Sequence, residues 1–289
     1  MMEESRLAAL YDLIMSEKIT FETEDQGTKA EDDRTPEQIQ ADEDASLVTM
    51  TPGGVMLLPM EGTMMRGKSS FGGCSTVQMR RILRNGTTNP AVKAGLIVAD
   101  TGGGSVAGTD ELGQDIKAFG QVKPIHTHVS TIMASAGYWA GSQTSHISAA
   151  RTAEIGSLGT YTSIVDSSKA AEDGGFKVIM VSTGIHKGAF TPGTEITPEQ
   201  IAALKVIIED LNEVFMEAVQ DGRGFADKEN KSLFDGNIHV AKKALNLGLI
   251  DSVSTLEEAV HLLEVQVSAG DAEADEAVAI AIANRNRLT

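Results

Sequence analysis

The sequence predicts an α/β fold built on a mainly parallel sheet, and three features predict it. Short apolar runs of strand length, VMLLP at 55–59 and VKAGLIVAD at 92–100, each lead into a glycine-rich turn. Segments with apolar residues at helical spacing separate such runs, the alternation expected of parallel strands joined by crossover helices. After residue 197 helical periodicity dominates, which predicts helices gathered at the C-terminal end.

Taken in order, Leu7, Leu10, Tyr11 and Ile14 give residues 6–17 the pattern of a short amphipathic helix. From Glu22 to Asp44, ten acidic residues face only Lys29 and Arg34, with few large apolar side chains to bury, so a flexible acidic arm is expected. Folding is expected to begin near Gly53, with a strand at 55–59, a glycine-rich loop at 61–73 and a helix over 75–84. The strand at 92–100 ends in Gly102-Gly103-Gly104, a helix follows over 110–119, and strands follow at 124–129 and 146–150. A further strand is expected at 177–182 and a loop at 183–188. The longest helix is expected from Thr197 to Gly222, because Thr197 is a good cap, Pro198 suits the first turn, and Ile201 through Val219 keep one apolar face. Residues 240–247 and 256–265 read as helices and 249–250 as a short strand, with AVAIAIANRNRL near the end as a short packing helix. The organisation expected is therefore an N-terminal helix and acidic arm over 1–50, one domain over 51–265 and a tail over 266–289.

Composition removes several classes of function. A net charge of −17 leaves nothing to neutralise a phosphate backbone or an anionic lipid surface, so no nucleic-acid partner is expected. No apolar run approaches the roughly 18–20 residues of a membrane span, and the start, MMEESRLAAL, is acidic where a signal peptide is basic. Cys74 is the only cysteine, which excludes an intrachain disulfide and a multi-cysteine metal site and suits a reducing, cytoplasmic compartment. It reads as a small buried apolar filler.

The chemistry centres on Met133-Ala134-Ser135-Ala136-Gly137, a strand running into small residues and then a helix. This approximates a G-x-S-x-G nucleophile elbow without its first glycine; a structural serine that allows close packing is the competing reading. Gly102-Gly103-Gly104 lies beyond a buried strand, where backbone N–H groups can turn inward as oxyanion donors or simply make a tight turn. Of the six histidines, His126 and His128 alternate on a strand and read as packing residues, and none carries a catalytic motif. Lys187 sits in a glycine-flanked loop; it can act as a base only where water exclusion or nearby positive charge lowers its pKa by about 3 units, on the order of 4 kcal/mol.

Together these motifs carry a resemblance. From Val55 to Leu263 the chain resembles the signal peptide peptidase A family of serine peptidases, which use a Ser-Lys dyad on the Clp-protease/crotonase fold. ADTGGGSV stands where the family has a strand and S-P-G-G-S-V, and MASAGYW where it has A-A-S-G-G-Y-[WY]. EIGSLGTY is similar to T-G-S-I-G-V, and STGIHKGAF to S-G-x-[YF]-K-x-A. FMEAVQDGRG and LFDGNIHVAKKALNLGLIDSVSTLEEAV follow the C-terminal patterns. Thr101-Gly102 in place of Ser-Pro, Ala136 in place of glycine and His186 in place of an aromatic residue are the departures.

The resemblance implies repeated β-β-α units with a mainly parallel sheet, Ser135 as nucleophile and Lys187 as base, 187 − 135 = 52 residues apart. It implies an oxyanion hole from Gly103 or Gly104 with Ala136, and Ser157 as the residue that orients the lysine. It implies a peptide substrate, no metal or organic cofactor, and a homo-oligomeric ring in which a neighbouring protomer can complete the site. Lack of a membrane anchor points to relatives such as phage capsid-maturation proteases acting on capsid or scaffold proteins, in the cytoplasm or inside proheads. A cytoplasmic peptide-clearing peptidase, a crotonase-type acyl-CoA enzyme and a non-catalytic scaffold component are the alternatives.

Overall fold

The computed structural model describes residues 34–68, 72–225 and 233–269. By internal contacts the chain divides into a short unit, Met1–Gln40, and a main unit, Ala41–Thr289. The helix expected at 6–17 and the segment AVAIAIANRNRL lie outside the described residues.

Helix α1 spans Pro36–Leu47, so the last part of the segment expected to be a flexible arm is ordered. Thr35 opens it with a capping box: its Oγ1 accepts from Gln38 N–H at 3.3 Å and its own N–H donates to Gln38 Oε1 at 2.7 Å. Asp44 is buried in a bidentate ion pair with Arg81. An acidic run looks solvated in sequence because the counter-charge of its buried carboxylate stands 37 residues away.

The sheet is made of β1 (Thr49–Met50), β2 (Val55–Glu61), β5 (Ala94–Thr101), β6 (Ile125–Ala134), β7 (His146–Ala149) and β10 (Ser252–Val253), in that spatial order. β2, β5, β6, β7 and β10 run parallel. β8 (Glu154–Gly156) pairs parallel with the second half of β6, and β9 (Ile238–Val240) pairs antiparallel with β8. β3 (Met64–Met65), inside the region expected to be loop, and β4 (Cys74–Ser75), which takes the residue expected to start the next helix, form a separate ribbon. Between strands lie α2 (Thr76–Thr88), α3 (Thr109–Gly120) and α4 (Ala136–Gly141). Then come α5 (Ser168–Asp173), α6 (Pro198–Arg223), α7 (Ala241–Asn246) and α8 (Leu256–Ala269). This is the mixed α/β architecture with a mostly parallel sheet and C-terminal helices that the sequence predicts, consistent with a Clp-protease-like fold.

Both faces of the central strands are covered, which is why β2 and β5 read as continuous apolar runs. On one face Met60, Ile97, Val129, Met133 and Trp139 join the main core; on the other Val55, Ala94 and Leu96 pack against Ala259 and Leu263 of α8. Cys74 is buried with its Sγ 3.1 Å from Met79 Sδ, and burial, then the Glu61 carboxylate, push its thiol up to about 12, so it is an inert filler.

Three expectations need correction. Residues 177–182 form no strand: Val178, Ile179, Met180 and Val181 are exposed, Val181 at 91%, and among the described residues no strand pairs with them. A strand without a neighbour leaves its backbone bonds unmade, so apolar alternation alone does not create one. Residues 249–250 form no strand: they follow the turn at 247–248, Leu249 N–H donates to Ala244 O at 2.9 Å and closes α7, and the short strand is Ser252–Val253. Val240, expected in a helix, belongs to β9, where it pairs with Glu154.

Candidate active site

The ten-residue strand β6 delivers Ser135 to the carboxyl end of the sheet, where α4 begins. Ser135 has φ 53° and ψ −123°, a region costing a non-glycine residue about 1–3 kcal/mol. Surrounding bonds hold it there. Its N–H donates to Gly156 O at 2.9 Å and its carbonyl accepts from Trp139 N–H at 2.9 Å. Behind it Trp139 stacks on Phe215 with centroids 4.9 Å apart, and Tyr138 OH donates to Leu249 O at 2.8 Å. The side chain is half-buried, and its Oγ has no hydrogen-bond partner among the described residues.

Gly103 closes against this corner. At φ +96°, a Cβ there would lie 2.7 Å from both Ser135 Cβ and Ala134 O and 3.0 Å from Ala136 N, so only glycine fits. Thr101 fixes the loop: buried, its Oγ1 donates to Gly62 O and accepts from Gly103 N–H at 3.1 Å. The threonine standing where the resemblance expects serine therefore clamps the loop, and it engages Gly103 N–H. Gly104 bridges to Met64 while Ser105 N–H donates to Met64 O at 2.9 Å, and that ladder leaves Gly104 N–H unused among the described residues. Ala136, first residue of α4, has no preceding helical carbonyl to bond.

Ser157 lies one position past Gly156, which is in register with Ala134, so it stands beside Ser135 one strand over. It too has positive φ, 52°, with its N–H on Asn237 O at 2.7 Å. From Ser157 a cleft of about 420 Å³ opens between Tyr161, Asn212, Phe234 and Asp235. At the ends of β2 and β5, Glu61 and Asp100 are in register, and burial, then Asp100, raise the Glu61 carboxyl above its usual range.

Lys187 is placed differently. It is exposed in a turn closed by its N–H on Gly184 O at 3.1 Å, beside a separate cleft lined by Met180, Ser182 and Glu195. Among the described residues nothing brings it to Ser135. The structure thus gathers Ser135, Gly103, Gly104, Ala136 and Ser157 and leaves Lys187 apart.

The histidines of β6 and β7 offer no alternative base. His126 and His128 lie 9 and 7 residues before Ser135 on one strand, roughly 30 and 23 Å away at about 3.3 Å per residue. They are buried; His128 Nδ1 meets Ser148 Oγ at 2.9 Å, and His146 Nε2 meets Ser252 Oγ at 2.9 Å. Burial, then the neighbouring His146, pushes His126 down to about 3, and burial pushes His128 down to about 4. A support missed as such in the sequence is Arg223, nearly buried, which donates to Asp251 at 2.9 and 2.7 Å and to Gly248 O. Burial would raise the Asp251 carboxyl, but Arg223 holds it below its ordinary range. The pair fastens the 248–251 turn on which Tyr138 hangs. Its residues were visible only inside DGRG and LIDS, and their pairing was not.

Residues 117–270, a little over half of the chain, match peptidase family S49. Protease 4 of Haemophilus influenzae is 26% identical over 220 residues, covering 75% of this chain and 35% of that protein. The chloroplastic serine protease SPPA of Arabidopsis thaliana is 26% identical over 188 residues, 64% of this chain and 28% of its own length. Capsid assembly protease C of Escherichia phage lambda is 22% identical over 216 residues, 73% of this chain and 48% of its own. The chain spans less than half the length of each of these three relatives.

Proposed function

The chain belongs to peptidase family S49, and from that premise we propose that it is a serine endopeptidase with Ser135 as nucleophile and Lys187 as general base. The observation that carries this reading is the Ser135 corner: a strained φ of 53°, held by two backbone bonds, with Gly103 pressed against it. Strain of this kind persists where function uses it.

In the mechanism, neutral Lys187 takes the Ser135 hydroxyl proton as Oγ attacks a peptide carbonyl. The N–H groups of Ala136 and Gly104 hold the resulting oxyanion, a contribution of about 3–4 kcal/mol per donor; Gly103 supplies close approach more than a donor, because Thr101 engages its N–H. Lys187 passes its proton to the leaving amine, and an acyl-enzyme remains on Ser135. Water, deprotonated by Lys187, then releases the acid. Ser157 orients the lysine.

A lysine base needs a dry setting, and Lys187 is exposed in a segment whose Ile179, Val181 and Ile185 are 74%, 91% and 87% exposed. A second copy of this chain covering that segment supplies the water exclusion, so we place the working form as a homo-oligomer that brings Lys187 to a serine. Among the described residues no helix is long and apolar enough to cross a membrane. With the lambda relative named as a capsid assembly protease, this supports a cytoplasmic or prohead enzyme acting on capsid or scaffold protein. The extended substrate adds as a strand beside Gly104.

The test uses casein peptides and a fluorophosphonate probe on wild type, Ser135→Ala and Lys187→Ala. Both variants are expected to lose cleavage by about a thousandfold or more, and an equimolar mixture to regain part of it if the lysine acts between protomers. Equal cleavage by all three proteins would sink the dyad, and no cleavage or labelling by any of them would leave a scaffold role.

A further inference from the structure

Strand β6 changes neighbours part-way along: it pairs with β7 through Val129 and with β8 from Ile132, so Ser130 stands at a fork. Strands of an open parallel sheet diverge at such a point, and the crevice beyond their carboxyl ends is where α/β proteins receive ligands. Here the crevice measures about 450 Å³ and lies on the sheet face that α8 covers, opposite α4. Ala150, Val253 and Leu256 give it mostly apolar walls.

Three polar groups in it have no protein partner among the described residues, and one of them is buried. Ser254 is 8% exposed, and its Oγ has no hydrogen-bond partner among the described residues, a deficit that a bound acceptor or donor repairs. Arg151 carries a guanidinium with no carboxylate in ion-pair reach among the described residues. Ser130 Oγ is likewise unbonded there. His128 forms the floor, one ring nitrogen taken by Ser148 and the ring kept uncharged by burial, so Arg151 is the cavity's one cation among the described residues. The N-terminus of the 14-residue helix α8 adds partial positive charge at Thr255 and Leu256, lining residues both.

We propose that this crevice binds a small monocarboxylate with an aliphatic body, its carboxylate between Arg151 and the Ser254 hydroxyl and its apolar part against Val253 and Leu256. A guanidinium and a hydroxyl match the planar carboxylate. A dianion is disfavoured, because Glu257 and Glu258 in the first turn of α8 act on the same space: their charges reach His128. The C-terminal residue of a peptide and a free short-chain acid share this chemistry. The site is on the other face and five residues before Ser135, so it stands independently of the dyad.

The test titrates the full-length Ser135→Ala protein with hexanoate and with a tripeptide ending in leucine, as acid and as amide. Calorimetry and amide chemical shifts report binding. The expected result is saturable binding of an acid, shifts concentrated at residues 150–151 and 253–256, and binding of the amide weaker by about tenfold or more. Arg151→Gln, at an exposed position, is expected to weaken the acid by a similar factor with an unchanged thermal midpoint, and Ser254→Ala to weaken it less. Tighter binding of the peptide acid identifies a chain terminus as the ligand, and tighter hexanoate a free acid. Equal affinity for acid and amide, no saturation by either acid at millimolar concentration, or indifference to Arg151→Gln overturns the proposal.

Discussion

Ser135 and Lys187, the two halves of the proposed dyad, occupy opposite physical settings. Around Ser135 the chain is over-determined: parallel pairing of Ala134 with Gly156, the Trp139 bond, the stacked Phe215 and the close Gly103 all fix one backbone geometry. Around Lys187 short local turns suffice, apolar side chains face water, and Gly184 has open space about it. The contrast teaches where strain can be kept. A strained backbone survives only where its neighbours leave no alternative, whereas the uncovered apolar side of the Lys187 segment is what the proposed second copy would cover.

The largest effect should come from adding a methyl group at the tight end. Gly103→Ala, with positive φ and 2.7 Å contacts, is expected to cost about 2–4 kcal/mol and abolish peptide cleavage, read by urea denaturation and turnover. Asp251→Asn should follow. It leaves the Arg223 guanidinium, 7% exposed, without its charge partner, and a loss of about 3 kcal/mol in denaturation would be measured.

Acid should act on the opposite half of the strand that carries Ser135. His126 and His128 have folded pKa values below the unfolded 6.5, so the unfolded chain binds protons first as pH falls. Their stabilisation is complete above about 6.5 and drains away as pH falls toward the folded values. Between pH 7 and 5 each should contribute a loss of up to about 2 kcal/mol, and His128→Asn should flatten the profile. At the open end, Ile179→Asp with Val181→Asp should leave protomer stability within about 0.5 kcal/mol yet disrupt oligomers and cleavage, measured by light scattering and turnover. Gly184→Ala, with nothing within 4 Å, should change neither quantity. A monomer with full activity would dissolve the contrast.

The corner was legible in sequence because its signals are local. A strand run ending at Ala134, small residues at 134–137 and the glycines at 102–104 each state a backbone requirement within a few positions. The helix from Pro198 to Arg223 was legible for the same reason, through Thr197, Pro198 and one apolar face. Residues 177–182 misled because their apolar content is real while the neighbour a strand needs is not supplied by the described chain. Thr101 misled in the other direction: read as a departure, it proves to be the clamp of its loop.

The sequence by itself determined the fold class, the type of most elements and the serine corner, since periodicity, capping and turn chemistry act over a few residues. Only the tertiary structure decided that Gly103 abuts Ser135, that Arg223 meets Asp251, that β6 forks at Ser130 and that Lys187 stands in solvent. Those are contacts between residues tens of positions apart, set by which strands pair and which faces are covered, and local residue patterns do not encode them.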